Sequence, residues 1–327
     1  MIIVTGGAGF IGSNLVAALD ARSERIAVSD WLGTDDKWRN LAKRELETIV
    51  APERLNEFLG DYAGDIEIIF HMGAISATTE RDADLIFENN FRLSQHLWRW
   101  CQDNDARFVY ASSAATYGDG ANGFDDEETL DALAKLRPLN PYGWSKHLFD
   151  RWAFRQKERY HRGPSQCVGL KFFNVYGPNE YHKGNMRSVA HQILPYALRS
   201  EAFPLFKSHR PEYPDGGQLR DFIWVGDCVN VMLWLLDNPR VNGLFNLGTG
   251  KARSFEDLAK AVFTAAGKEP MISYRDMPEE LRERYQYFTE AHMDKLRAAG
   301  YAEPFTSLEE GLRRYVQDYL MKNDCYV

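Results

Sequence analysis

The stretch T-G-G-A-G-F-I-G, residues 5–12, follows directly on the apolar run Ile2–Thr5 and opens a helical pattern over Ile11–Ala21. Gly6, Gly9 and Gly12 sit three residues apart. A strand that turns this tightly into a helix needs a residue without a side chain at the turn. It needs a second where an anion approaches the backbone, and a third where helix and strand pack closely. The free N–H groups and dipole of the helix N-terminus then favour a phosphate. Asp30 closes the second apolar run, at the distance expected of a ribose-binding carboxylate. Together these features predict a doubly wound α/β fold whose first crossover holds a dinucleotide. Asp30 could accept from an adenosine ribose, which suits NAD. Lys37 and Arg39 follow closely and could meet a 2′-phosphate, which suits NADP, and the residues alone leave that choice open.

The rest of the chain keeps the alternation that such a sheet requires. Strands are expected at Ile26–Asp30, Ile66–His71, Phe108–Ser112 and Cys167–Phe173, with helices over Asp84–Asn104 and Ser145–Tyr160. Between Leu41 and Asp65 only a short helix near Pro52–Leu59 is expected. After Asn174 the texture changes. Residues 174–186 and 207–220, rich in Gly, Pro, His and Asn, read as long loops around a helix near Met186–Ser200. A strand and helix start are expected at 221–229, a strand ending in a glycine turn at 244–250, an N-cap pair at Ser254 and Asp257, and a closing helix at Ser307–Met321. The predicted division is a Rossmann-type domain over 1–173, joined by about 221–245, and a smaller α/β substrate lobe from 174–220 and 246–327.

With 327 residues, 44% of them hydrophobic, the chain can bury such a core. A net charge of −8 argues against nucleic acid as a partner. The four cysteines are scattered, with no C-x-x-C, so neither a metal site nor a disulfide framework is expected. The purest apolar run, V-M-L-W-L-L at 231–236, is too short to span a bilayer. These features predict a cytoplasmic protein with no membrane partner.

The chemistry is carried by two motifs. Y-A-S-S-A-A-T-Y-G, residues 110–118, puts Ser113 at the carboxyl edge of the sheet, where ligands bind in such folds. P-Y-G-W-S-K, residues 141–146, puts Tyr142 and Lys146 one helical turn apart on one face. Beside a nicotinamide these three residues make a hydride-transfer set. A nearby ammonium favours tyrosinate, so Tyr142 can take a proton from an alcohol while Ser113 holds the oxygen. His71, at the end of the third strand, reads as a packed histidine rather than a catalyst.

Those motifs, with F-N-V-Y-G-P-N-E-Y-H-K-G-N-M at 173–186, L-F-N-L-G-T-G at 244–250 and R-Y-Q-Y-F-T at 284–289, resemble the extended short-chain dehydrogenase/reductase family of nucleotide-sugar enzymes. Within it the chain is similar to the branch that inverts the sixth carbon of an ADP-heptose, supplying heptose for the lipopolysaccharide core. The resemblance implies tightly bound NADP, with NAD as the alternative, and a homo-oligomer, a pentamer in particular. It implies that Phe10 and Ile11 lie at the cofactor diphosphate, and Asp30, Trp31 and Lys37 at its adenosine end. Met72, Gly73, Ala74, Ile75, Ser76, Asn89 and Val175 are then expected to line the cofactor. Tyr142 and Lys183 are implied as the two catalytic bases. Asn174, Asn185, Gln192, Phe206, Lys207, Ser208, His209, Arg220 and Tyr285 are implied at the sugar nucleotide. The chain departs from the pattern at Trp31, Asn185 and Gln192 and in the insertion at 208–218, which bears on substrate contacts more than on the reaction.

The carbon to be inverted carries only an alcohol, and its C–H is not acidic. Oxidation to a ketone removes the stereocentre, and hydride return to the other face sets the new one. A ketone held in two orientations invites two acid–base groups, Tyr142 and Lys183. Another nucleotide-sugar epimerase, such as a UDP-sugar 4-epimerase, is the alternative. A 4,6-dehydratase is disfavoured because Ala114 and Ala115 stand where elimination needs an acid pair. A catalytically silent cofactor sensor is disfavoured by the intact Ser113, Tyr142 and Lys146.

Overall fold

A computed structural model describes residues 1–282 and 285–327, so Arg284 of the R-Y-Q-Y-F-T motif lies outside the described residues. Seven strands form one parallel sheet: β1 (Ile2–Thr5), β2 (Ile26–Ser29), β3 (Thr48–Val50), β4 (Ile68–His71), β5 (Arg107–Ser113), β6 (Cys167–Phe172) and β10 (Gly243–Leu247). Their spatial order is β10-β6-β5-β4-β1-β2-β3. The order reverses beside β1, which opens a crevice at the carboxyl ends of β1 and β4, where such folds bind their ligands. The strands are almost wholly buried and rich in Val, Ile and Phe, as a sheet covered on both faces demands. Ile2, Val4 and Val28 face one core; Ile3, Ala27 and Ile69 face the other.

Two smaller sheets stand apart. β7 (Asn174–Tyr176), β9 (Leu219–Trp224) and β11 (Ala252–Ser254) form one, with β9 central, parallel to β7 and antiparallel to β11. β8 (Phe203–Phe206) pairs in parallel with β12 (Ile272–Arg275). The helix Phe255–Ala265 begins with a reciprocal capping box of Ser254 and Asp257. It shares a third core with the helices Val189–Arg199 and Leu308–Arg314. No helix among the described residues is long and apolar enough to cross a membrane.

Where the structure departs from expectation, the cause is local. β3 is only three residues at the sheet edge, too short to give a periodic signal. The segment read as a loop over 174–186 contains β7 and a 3-10 turn at Tyr181–Met186. The following helix starts at Val189 rather than Met186, because Ser188 caps it and the buried Glu180 carboxylate takes both the Ser188 N–H and its hydroxyl. The helix carrying Tyr142 starts at Pro141 rather than Ser145, with Asn140 accepting from the Gly143 N–H at 2.8 Å. The long helix before β5 widens into a π turn at Phe87–Arg92, within which Asn90 gives and takes a hydrogen bond with the backbone of Ile75.

Candidate active site

A cleft of about 660 Å³ runs along the carboxyl ends of the central strands. Its floor is the glycine turn. The first helix, Phe10–Asp20, begins without a side-chain cap and without an acidic residue in its first turn, so its leading N–H groups face the cleft unopposed. A Cβ on Gly12 would lie 2.2 Å from the Gly6 carbonyl oxygen, so only glycine closes this turn. An uncapped, uncharged helix start under a bare backbone suits a diphosphate.

The positions expected at the cofactor border this cleft: Gly6, Gly9, Phe10, Ile11, Gly12, Asp30, Trp31, Lys37, Met72, Gly73, Ala74, Ile75, Ser76, Asn89, Lys146, Val175 and Lys183. Arg39, the other cation offered for a 2′-phosphate, does not; it lies against the Trp38 and Tyr326 rings and near Asp36. At the far end, one Asp30 oxygen accepts from the Ala8 N–H at 3.0 Å and the other pairs with the Lys37 ammonium at 2.7 Å. The Trp31 indole donates to Glu53 at 2.7 Å and leaves one face exposed.

At the near end Ser113, Tyr142 and Lys146 meet. Removal from water pushes the Tyr142 hydroxyl up, the hydrogen bond to Ser113 pulls it back, and the Asp150 charge pushes it up again. Burial lowers the Lys146 ammonium to about 8, against the raising effect of Asp150. His71 is packed, as read from sequence. Thr5 Oγ1 lies 2.6 Å from its Nδ1, and Ser94 Oγ lies 2.9 Å from its Nε2. Ser94 spends its own proton on the Asn90 carbonyl, so His71 Nε2 must be the donor and Nδ1 the acceptor. Burial drops its pKa to about 3.

Lys183 borders the same cleft, beside the glycine turn. Its Nζ stands 5.3 Å from the centre of the Phe10 ring, and burial lowers its pKa while Glu180 raises it. Gly184 turns the chain behind it with φ +54°. The loop is tied to the glycine turn. Asn14 donates to the Pro178 carbonyl at 3.0 Å, Asn179 to Ser13 Oγ at 3.0 Å, and Asn40 to the carbonyls of both Ala8 and Asn179.

The expected substrate residues divide. Asn174 lines the cleft. Arg220, Phe206 and Tyr285 gather beside it, with the Arg220 guanidinium 5.2 Å from the Tyr285 ring and 5.6 Å from Phe255, which is itself a cleft wall. Arg220 is buried and, among the described residues, donates only to the Leu219 carbonyl; burial lowers its pKa. The Ser208 and His209 N–H groups are held by Asp215 and the Tyr287 hydroxyl, and Lys207 pairs with Asp276 at 3.4 Å. Asn185 and Gln192 are exposed and do not border the cleft; Gln192 donates to the Arg187 carbonyl. Sequence reasoning missed Thr5, Ser112, His182, Arg187 and Ser188 on the cleft wall. Arg187 carries the clearest signal in hindsight, a cation within the same loop as Lys183, whose Nε donates to the Gly184 carbonyl.

The model of the NAD dependent epimerase/dehydratase family matches residues 2–248. A protein of Nitratidesulfovibrio vulgaris (strain DP4) named ADP-L-glycero-D-manno-heptose-6-epimerase is 52% identical over the full length of both chains. The solved Helicobacter pylori enzyme of the same name superposes with a TM-score of 0.78 at 25% identity, over 97% of this chain and 95% of that one. The Thermus thermophilus UDP-glucose 4-epimerase, solved in complex with NAD, superposes with a TM-score of 0.75 at 28% identity, over 96% and 97%.

Proposed function

Because the chain belongs to the NAD dependent epimerase/dehydratase family, we propose that it converts ADP-D-glycero-D-manno-heptose to ADP-L-glycero-D-manno-heptose. The observation that carries this reading is the 52% identity over full length to a heptose 6-epimerase. The Tyr142–Ser113–Lys146 set and Lys183, which border one cleft, are the acid–base groups on this reading.

A nicotinamide dinucleotide held along the glycine turn and beside Tyr142 and Lys146 would supply the hydride chemistry. The protein's own groups do the rest. Tyr142 takes the proton of the sugar hydroxyl, with Ser113 donating to the same oxygen. Lys146 holds positive charge beside the tyrosine and favours its anion. After the keto group turns over, Lys183 protonates or deprotonates the oxygen. Its lowered pKa suits it to that task better than an ordinary lysine. Arg220, buried without a carboxylate partner among the described residues, is the contact to the substrate's diphosphate on this reading.

The cofactor is NADP on this reading. Lys37 neutralises Asp30, the carboxylate that would otherwise repel a 2′-phosphate, and leaves an ammonium at that end of the cleft. The protein acts in the cytoplasm as a homo-oligomer, supplying heptose for the lipopolysaccharide core. Incubating it with ADP-D-glycero-D-manno-heptose and following the configuration at the sixth carbon by NMR tests the reaction. Mass analysis of the nucleotide released on denaturation tests the cofactor. An unchanged sixth carbon overturns the reading, and release of NAD alone overturns the cofactor assignment.

A further inference from the structure

Asp150 lies two helical turns beyond Tyr142 and one beyond Lys146, on the same side of the helix Pro141–Tyr160. It is 1% exposed, and a carboxylate so buried is costly unless it is fully paired. Here it accepts from Ser112 Oγ at 2.7 Å and from the Tyr110 hydroxyl at 3.0 Å, and lies 3.7 Å from the Lys171 ammonium. Lys171, fully buried on β6, donates to Thr116 Oγ1 at 2.7 Å, and Thr116 in turn donates to the Ser113 carbonyl at 2.8 Å. Both the residue before Ser113 and the Ser113 backbone are therefore fastened to one buried ion pair, which sits behind the reacting groups.

We propose that Asp150 is a positioning residue for the hydride-transfer site: its buried negative charge sets the pH range in which Tyr142 and Lys146 hold the right protons, while Ser112 ties that charge to the strand end bearing Ser113. The proposal rests on the reading of Tyr142 and Lys146 given above. Asp150 acts on both, raising the pKa of each. The competing groups around it are silent near neutrality. His71, facing Lys146 from β4, is held neutral with a pKa of about 3, and His147, on the same helix, has one of about 4. Tyr110 and Tyr117 are pushed well up, and the Cys167 thiol to about 12. Asp126 and Lys295 act on Lys171, Asp126 also on Tyr117, and Glu128 on Tyr110 and Cys167.

The charge has a definite sign of effect. Tyr142 must give up its proton and Lys146 keep its own, so the titrations of these two groups bound the active pH range. A negative neighbour holds both protons on, so removing it moves both limbs to lower pH. A purely structural role lowers the rate at every pH and moves neither limb.

The test compares pH–rate profiles and melting temperatures of the wild-type enzyme, Asp150→Asn, and the double variant Asp150→Asn with Lys171→Met, each assayed with ADP-D-glycero-D-manno-heptose. The single variant leaves Lys171 buried without its carboxylate and is expected to melt earlier. The double variant removes both charges and is expected to regain much of that loss, since replacing a whole buried pair is far milder than breaking one. The expected result is an acid-shifted profile in both variants, kept in the double variant despite its restored stability. A double variant of restored stability whose profile sits at the wild-type pH overturns the proposal, as does one that does not fold. A wild-type enzyme that turns over no substrate overturns the functional reading itself, and this proposal with it.

Discussion

Lys183 reaches the cleft from a loop, and that loop is built to aim it. Glu180, which precedes it by three residues, is buried and takes hydrogen bonds from Ser188 and the Tyr315 hydroxyl, so both ends of the turn are fixed. Lys183→Met keeps the length and loses the charge. It is expected to lower kcat roughly 10²–10⁴-fold, the usual range for an acid–base group, while substrate affinity by calorimetry stays near the wild-type value. A rise in KM with kcat intact would make Lys183 a phosphate contact instead. Tyr142→Phe removes one hydroxyl and no ring packing. Retained cofactor and a similarly large loss of turnover are expected, read by steady-state kinetics beside the circular dichroism spectrum. At this scale the sequence was most legible where residue type and spacing name a chemistry, as in Tyr142 and Lys146. It was least legible for Asn185 and Gln192, which the family pattern puts at the substrate and the fold leaves exposed. Neighbours in sequence do not say which side of a turn faces inward.

Among the elements, the glycine turn and first helix are the least tolerant of change. A methyl group on Gly12 would meet the carbonyl oxygen and carbon of Gly6 at 2.2 and 2.9 Å, and these backbone atoms cannot move aside without opening the turn. Gly12→Ala is therefore expected to fold with loss of cofactor retention, measured as nucleotide released per chain after native purification. This element was readable because backbone geometry admits few sequences there. The small sheet of β7, β9 and β11 was not. Its outer strands are three residues each, and its pairing joins segments about 80 residues apart at the extremes, a relation that leaves no periodic trace. The same holds for β8 and β12, which pair across two intervening helices and three strands.

For the molecule as a whole, burial of neutral histidines ties stability to pH. His71 has a folded pKa of about 3, and His147 and His191 of about 4, against about 6.5 in an unfolded chain. Their folded values are depressed, so the unfolded chain binds more protons throughout the interval between. Stability is thus full above about pH 6.5 and declines as pH falls toward 3. The urea midpoint is expected to drop between pH 7 and pH 4, and to drop less steeply in a His71→Asn variant. An equal slope in the two proteins would show that His71 titrates alike in the folded and unfolded states.

The strand order carries a consequence for synthesis. β6 is complete once residue 172 has been made, but its outer neighbour β10 is not finished until residue 247. At roughly 5–20 residues per second, the growing chain spends on the order of 4–15 seconds with that flank of the sheet unpaired. The flank is long and apolar, with Val168, Leu170 and Phe172 along it, and an open edge of this kind invites other strands. Chains arrested on the ribosome between about residues 175 and 240 are therefore expected to aggregate on release or to recruit a chaperone. Chains arrested a few tens of residues beyond 247 should do neither.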